Sequence, residues 1–145
     1  MPTEPDATGP QPELARPHDK FPEQIELMDL LSHIYLRHGL PDKAAVLLAA
    51  RDALQPDHPQ TLLALALAQV RSDKPERALE TLERLAMLGA VDAAFHLVRA
   101  QAFQVLGRRA EAAGAMRAHV ALRAPQAGAS SATRTAAAAD QPPIN

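Results

Sequence analysis

The chain has 145 residues, 47% of them apolar but only 3% aromatic, with no Cys, no Trp and a formal net charge of −2. That length and apolar content support one domain with a core of Leu, Ala, Val and Met, a palette suited to helices packed at short distance. The lack of Cys excludes disulfides, thiolate metal sites and a Cys nucleophile, and the small, dispersed charge argues against nucleic acid or an anionic membrane as the main partner.

Six of the 13 prolines, Pro2, Pro5, Pro10, Pro12, Pro17 and Pro22, fall in the first 22 residues among charges and few large apolar groups. Such a segment buries too little surface to offset its ordering entropy, so residues 1–22 are expected to form a disordered Pro-rich tail. The start, MPTEPDATGPQPELARPHDK, has no apolar signal region, and no stretch approaches the roughly 18 uninterrupted apolar residues of a membrane span. A cytoplasmic protein without membrane insertion is the expectation.

Apolar periodicity then predicts helices over 25–38, 41–54, 59–71, 75–88, 92–106 and 109–123. Pro41 and Pro75 suit first helical turns, where the N–H is unpaired anyway. Asp57 and Asp92 read as N-caps, and Pro56 as the stop of the helix before it. From Pro125 the text PQAGASSATRTAAAADQPPIN reads as a flexible Ala- and Pro-containing tail over 125–145, with at most a frayed helical turn near Ala136.

Gly39, Asp73 and Gly107 stand 34 residues apart, where a tight turn needs residues that tolerate the left-handed conformation. Five residues beyond each come Ala44, Ala78 and Ala112, and four further on Leu48, Leu82 and Met116. Seven before each turn lie Ser32, Ala66 and Ala100. Four before lie Tyr35, Gln69 and Phe103, of which Gln69 departs from an aromatic pattern; Arg99 departs likewise from Leu31 and Leu65. This period is that of the tetratricopeptide repeat (TPR). The expected fold is therefore all-α, a TPR-like solenoid of three helix-turn-helix repeats at about 25–58, 59–92 and 93–124 within the folded span 23–124.

On that frame the first helix of each repeat lines a concave groove. Repeat one supplies Glu26, Asp29, His33 and Leu36; repeat two Gln60, Leu63, Leu67 and Val70; repeat three Ala94, Leu97, Gln101 and Gln104. The groove would be apolar at its centre with an acidic lip, repelling an anionic peptide end and suiting a hydrophobic segment of a partner. The alternative is that Leu63, Leu67 and Val70 are core. The last repeat has no evident polar cap, so marginal stability alone and a homodimer, or stabilisation by a partner, are expected.

KAAVLLAARDALQPDH at Lys43 to His58 and GRRAEAAGAMRAHVALR at Gly107 to Arg123 resemble the repeats of the YscY-type (SctY) chaperones of bacterial type III secretion systems. The resemblance covers about residues 25–124. It implies a small cytosolic bacterial chaperone that binds a small secreted protein of the export apparatus and helps to present it to the export gate. A generic TPR scaffold or assembly adaptor, or a chaperone of type III translocator proteins, is the alternative.

No catalytic, cofactor-binding or metal site is expected, and an enzyme is disfavoured. His33 and His38 are five apart and lack a partner at ligand spacing; His96 and His119 read as half-buried packing residues. Glu76, Arg77, Glu80, Glu83 and Arg84 read as a solvated face with pairs along one helix.

Overall fold

The computed structural model describes residues 22–139, with side chains described through residue 124. Within them the chain is all-α, with six helices: α1 (Pro22–Arg37), α2 (Pro41–Leu54), α3 (Pro59–Arg71), α4 (Pro75–Met87), α5 (Ala93–Val105) and α6 (Arg109–Ala139). Each helix packs on its neighbours in chain order, and α3 also touches α5. The expected disordered segment 1–22 lies outside the described residues except for Pro22, which opens α1 three residues earlier than anticipated. At the other end a correction is needed. The last helix does not stop at 123 but runs through Pro125 to Ala139, where a flexible tail was expected. Eight of the residues 124–139 are Ala, the best helix former, and they end in the run Ala136–Ala139, although Pro125 and Gly128 work against the helix. Residues 140–145 lie outside the described part.

The turns within the three hairpins share one geometry. Gly39, Asp73 and Gly107 all have positive φ, +70°, +61° and +73°. In each, the positive-φ residue donates its N–H three residues back, Gly39 to Leu36, Asp73 to Val70 and Gly107 to Gln104. The next residue donates five back, Leu40 to Tyr35, Lys74 to Gln69 and Arg108 to Phe103, at 2.8–2.9 Å. This is the Schellman closure of a helix, which satisfies its last carbonyls and reverses the chain. At Asp73 the side chain has no place in that pattern, and an L-residue held left-handed costs energy that Gly does not. Asp73→Gly is therefore expected to stabilise the fold by about 0.5–1 kcal/mol. A thermal melt checks this, and an unchanged or lower midpoint would mean that the Asp side chain contributes a compensating contact.

Between hairpins the connections differ. Asp92 caps α5, its carboxylate accepting from the Phe95 N–H at 2.8 Å. Asp57 does not cap α3. It sits at φ +60°, its own N–H donates to Asp52 Oδ1, and the cap position falls to His58, before Pro59. A residue turned left-handed has its carboxylate in the wrong place for the following helix.

The core centres on α3, buried on both sides. Toward α2, Leu65 and Ala68 meet Ala44 and Leu48; toward α4 and α5, Leu62, Ala66 and Val70 meet Ala78, Leu82, Leu85, Phe95, Val98 and Ala102. Ser32, Ala66 and Ala100 are buried, as small residues at a close helix approach should be. The third copy breaks ranks. Leu48 and Leu82 are each 2% exposed, but Met116 is 40% exposed and Ala112 only half-buried, because no following helix pair covers them among the described residues. The two departures in the register also have causes. Gln69 accepts a hydrogen bond from the buried Thr81 hydroxyl at 2.8 Å, where an aromatic ring would leave that hydroxyl only its bond to the Arg77 carbonyl. Arg99 is exposed and lays its guanidinium 5.3 Å from the Phe103 ring centre.

Candidate functional site

The residues expected to line a groove are divided by the structure. Asp29, His33 and Leu36 of α1 converge with Gln60 of α3 on a cavity of about 210 Å³, whose wall also includes Ser32, Leu48, His58, Thr61 and Ala64. The helical rise brings Asp29, His33 and Leu36 to one face of α1, at i, i+4 and i+7. Ser32 turns its hydroxyl back onto the Met28 carbonyl at 2.6 Å, and Thr61 pairs with His58 Nδ1 at 3.3 Å. The wall thus mixes the buried Ser32, Leu48 and Thr61 with the exposed Asp29, His33 and Gln60.

The other groove residues fare differently. Val70 is a correction: at 7% exposure it belongs to the core and offers a partner almost nothing. Leu63 and Leu67 are half-buried and pack on the same core cluster, so each serves the interior with part of its surface. Leu97 and Gln101 are half-buried on α5, and Gln104, Glu26 and Ala94 are exposed. Of the groove residues expected on α3 and α5, only Gln60 lines this cavity.

The acidic lip is also corrected at Asp29. Arg51 of α2, only 4% exposed, donates from Nε to Asp29 Oδ1 at 2.9 Å and from a terminal nitrogen to Oδ2 at 3.3 Å. A third bond goes to Gln55 Oε1 at 3.0 Å. This bidentate fork neutralises Asp29 and fixes α1 to α2. Sequence reasoning missed Arg51, since an Arg amid Ala and Leu looks like any exposed helical cation until the carboxylate 22 residues earlier is seen beside it.

A second cluster ties α2 to α4. Arg84 donates to both Asp52 oxygens, at 2.8 and 3.1 Å, and to Asp57 at 2.8 Å. The expectation that Arg84 pairs along its own helix gives way to this longer-range set. Burial pushes the Asp52 carboxyl up, but hydrogen bonds from Arg84 and the Asp57 N–H, with the charges of Arg84 and Arg51, outweigh it and hold the group below the usual carboxylate range. The Arg84 guanidinium is pushed up chiefly by its hydrogen bond to Asp52, then by that to Asp57.

Among the histidines, His33 and His38 are exposed. His119 places Nδ1 2.7 Å from the Ala93 carbonyl, which can only accept, so Nδ1 carries the proton and pins α6 to the start of α5. His96 stacks edge-on against Phe95, its Nδ1 buried without a protein partner. Burial, then Arg99, holds its pKa below the usual imidazole value. No group of three or more His, Asp or Glu among the described residues could hold a metal ion. No described helix is long and apolar enough to cross a membrane.

Further cavities lie elsewhere among the described residues. One of about 510 Å³ sits on the outer side of the first hairpin, between Leu31, Tyr35, Val46 and Leu47. One of about 390 Å³ lies where α4, α5 and α6 meet, under Arg99, Phe103 and Arg108. One of about 460 Å³ runs along α6 over Ala113, Met116 and Val120. No known protein-family model matches the chain, and no curated protein matches it.

Proposed function

We propose that the chain is a three-repeat TPR module that binds a polypeptide segment in the trough between α1 and α3, as a chaperone for a small secreted protein of a bacterial type III export apparatus. The observation that carries the binding role is the convergence of Asp29, His33, Leu36 and Gln60 on one cavity. About 210 Å³ is small for a drug-sized ligand, whose sites span roughly 300–1,000 Å³, but it suits a single side chain of an incoming segment. The half-buried Leu63 and Leu67 further along α3 would extend the contact with apolar surface. The 34-residue recurrence of the left-handed turns at Gly39, Asp73 and Gly107 supports the TPR reading. The likeness of 43–58 and 107–123 to YscY-type chaperones supports the finer one, with presentation to the export gate as the chaperone's later step.

Co-expression with the small secreted proteins of a type III export apparatus tests the proposal. One of them should co-purify with the chain. Leu63→Asp should abolish that capture while far-UV helicity survives. Because Leu63 also touches the core, Gln60→Trp provides a second test at an exposed position. Filling the cavity with an indole should weaken capture at least about tenfold. Capture unchanged in both variants would remove the trough from the account.

A further inference from the structure

The two ends of the helix stack expose what its interior covers. On α1, Leu27, Leu30 and Ile34 form one stripe, 53%, 56% and 38% exposed. Thirty-four residues later their register partners are Thr61, Ala64 and Ala68, and after another 34 they are Phe95, Val98 and Ala102. Ala64 is half-buried and packs on the core, and the other five are buried. On α6 the matching stripe is Ala113, Met116 and Val120, again at i, i+3 and i+7 over one shallow apolar depression. The partners of Ala113 and Met116 one period earlier, Leu79 and Leu82, pack on the core, as do Ala45 and Leu48 two periods earlier, whereas those of Val120 are the exposed Ala86 and the ion-paired Asp52.

The inner junction shows what such faces meet. There Ala44 and Leu48 of α2, the register partners of Ala112 and Met116, pack on Leu65 and Ala68 of α3, the partners of Leu31 and Ile34. An exposed α1 stripe therefore has its natural complement in an exposed α6 stripe, and the molecule carries one of each at opposite ends of the chain order. We propose that the protein self-associates head to tail, the α1 face of one copy packing on the α6 face of the next and continuing across chains the packing found between its own hairpins. Leu30 and Ile34 are bulkier than Ala64 and Ala68, so the junction between copies is wider than the internal one, within the range that side-chain size sets for helix pairs. Residues 1–21 are a poor alternative cover, because Leu14 and Phe21 are their main large apolar side chains beyond the initial Met. The contact is heterologous, so an open assembly keeps a free α1 face at one end and a free α6 face at the other.

This inference rests on the repeat register but not on the identity of the secreted partner, and the purified full chain suffices to test it. Sedimentation velocity should show a weight-average mass that rises with concentration above the 15.5 kDa of one chain. Leu30→Glu and Met116→Glu, both at exposed positions, should each be monomeric alone, since each has lost one of the two faces. Mixed together they should form a two-chain species that grows no further, because the intact α6 face of one meets the intact α1 face of the other. Three outcomes overturn the proposal: a wild-type chain monomeric at every concentration, a mixture that stays monomeric, or one variant that still dimerises by itself through like faces. Should either variant fail to fold, the wild-type mass alone decides.

Discussion

Leu82→Ala is expected to cost about 3 kcal/mol, while Met116→Ala, at the same register position one repeat later, costs less than about 0.5 kcal/mol. Leu82 is 2% exposed and touches the central cluster that α3, α4 and α5 share. Truncating it removes the transfer free energy of the lost carbons and leaves a cavity that the surrounding Ala and Val cannot collapse to fill. Against a total stability of roughly 5–15 kcal/mol for a small domain, that loss is a large fraction. Met116 is 40% exposed, so most of its side chain meets water before and after unfolding. Urea denaturation of both variants at low protein concentration measures the contrast. Equal losses would mean that α6 is covered as tightly as α4, which would contradict the open end described above.

The second large effect concerns Arg51. Asp29→Ala should destabilise the chain by about 2 kcal/mol, less than the 3–5 kcal/mol of a fully buried pair because the Asp29 side chain is 46% exposed. The cost lies in what remains: a guanidinium 4% exposed, left with Gln55 but no carboxylate. Adding Arg51→Met removes the stranded charge, so the double variant should be more stable than Asp29→Ala alone. A double-mutant cycle followed by circular dichroism reads the coupling directly. Full additivity of the two changes would show that the fork contributes nothing beyond its separate residues.

Helix positions were legible because their causes are local. Pro41 and Pro75 open helices where an unpaired N–H costs nothing, and α2 and α3 occupy the expected residues 41–54 and 59–71. The Schellman turns at Gly39, Asp73 and Gly107 were equally readable, since the left-handed conformation restricts the residues that fit. Asp92 was found as a cap by its place before an apolar run, but Asp57, in an equally suitable place, was not one. Its left-handed backbone and its bond to Arg84, which belongs to the next hairpin, took the carboxylate elsewhere. The end of α6 was misjudged because Pro125 was weighed above the Ala-rich residues around it.

The trough was legible in part for a related reason. Spacing alone places Asp29, His33 and Leu36 on one face of α1, and the structure brings Gln60 to them. Whether a groove residue is surface or core depends on how near the next helix lies, so Val70 went to the interior while Leu63 and Leu67 divide their surface.

The sequence by itself determined the all-helical class, eleven of the twelve helix bounds within three residues, and the three equivalent turns, because propensity, proline placement and left-handed tolerance act within a few residues. Only the tertiary structure decided which carboxylate Arg51 and Arg84 reach, and which copy of each repeated position is buried. Those outcomes turn on what packs against a helix from far along the chain, and the same apolar residue is core beneath a neighbour and open surface at the end of the stack.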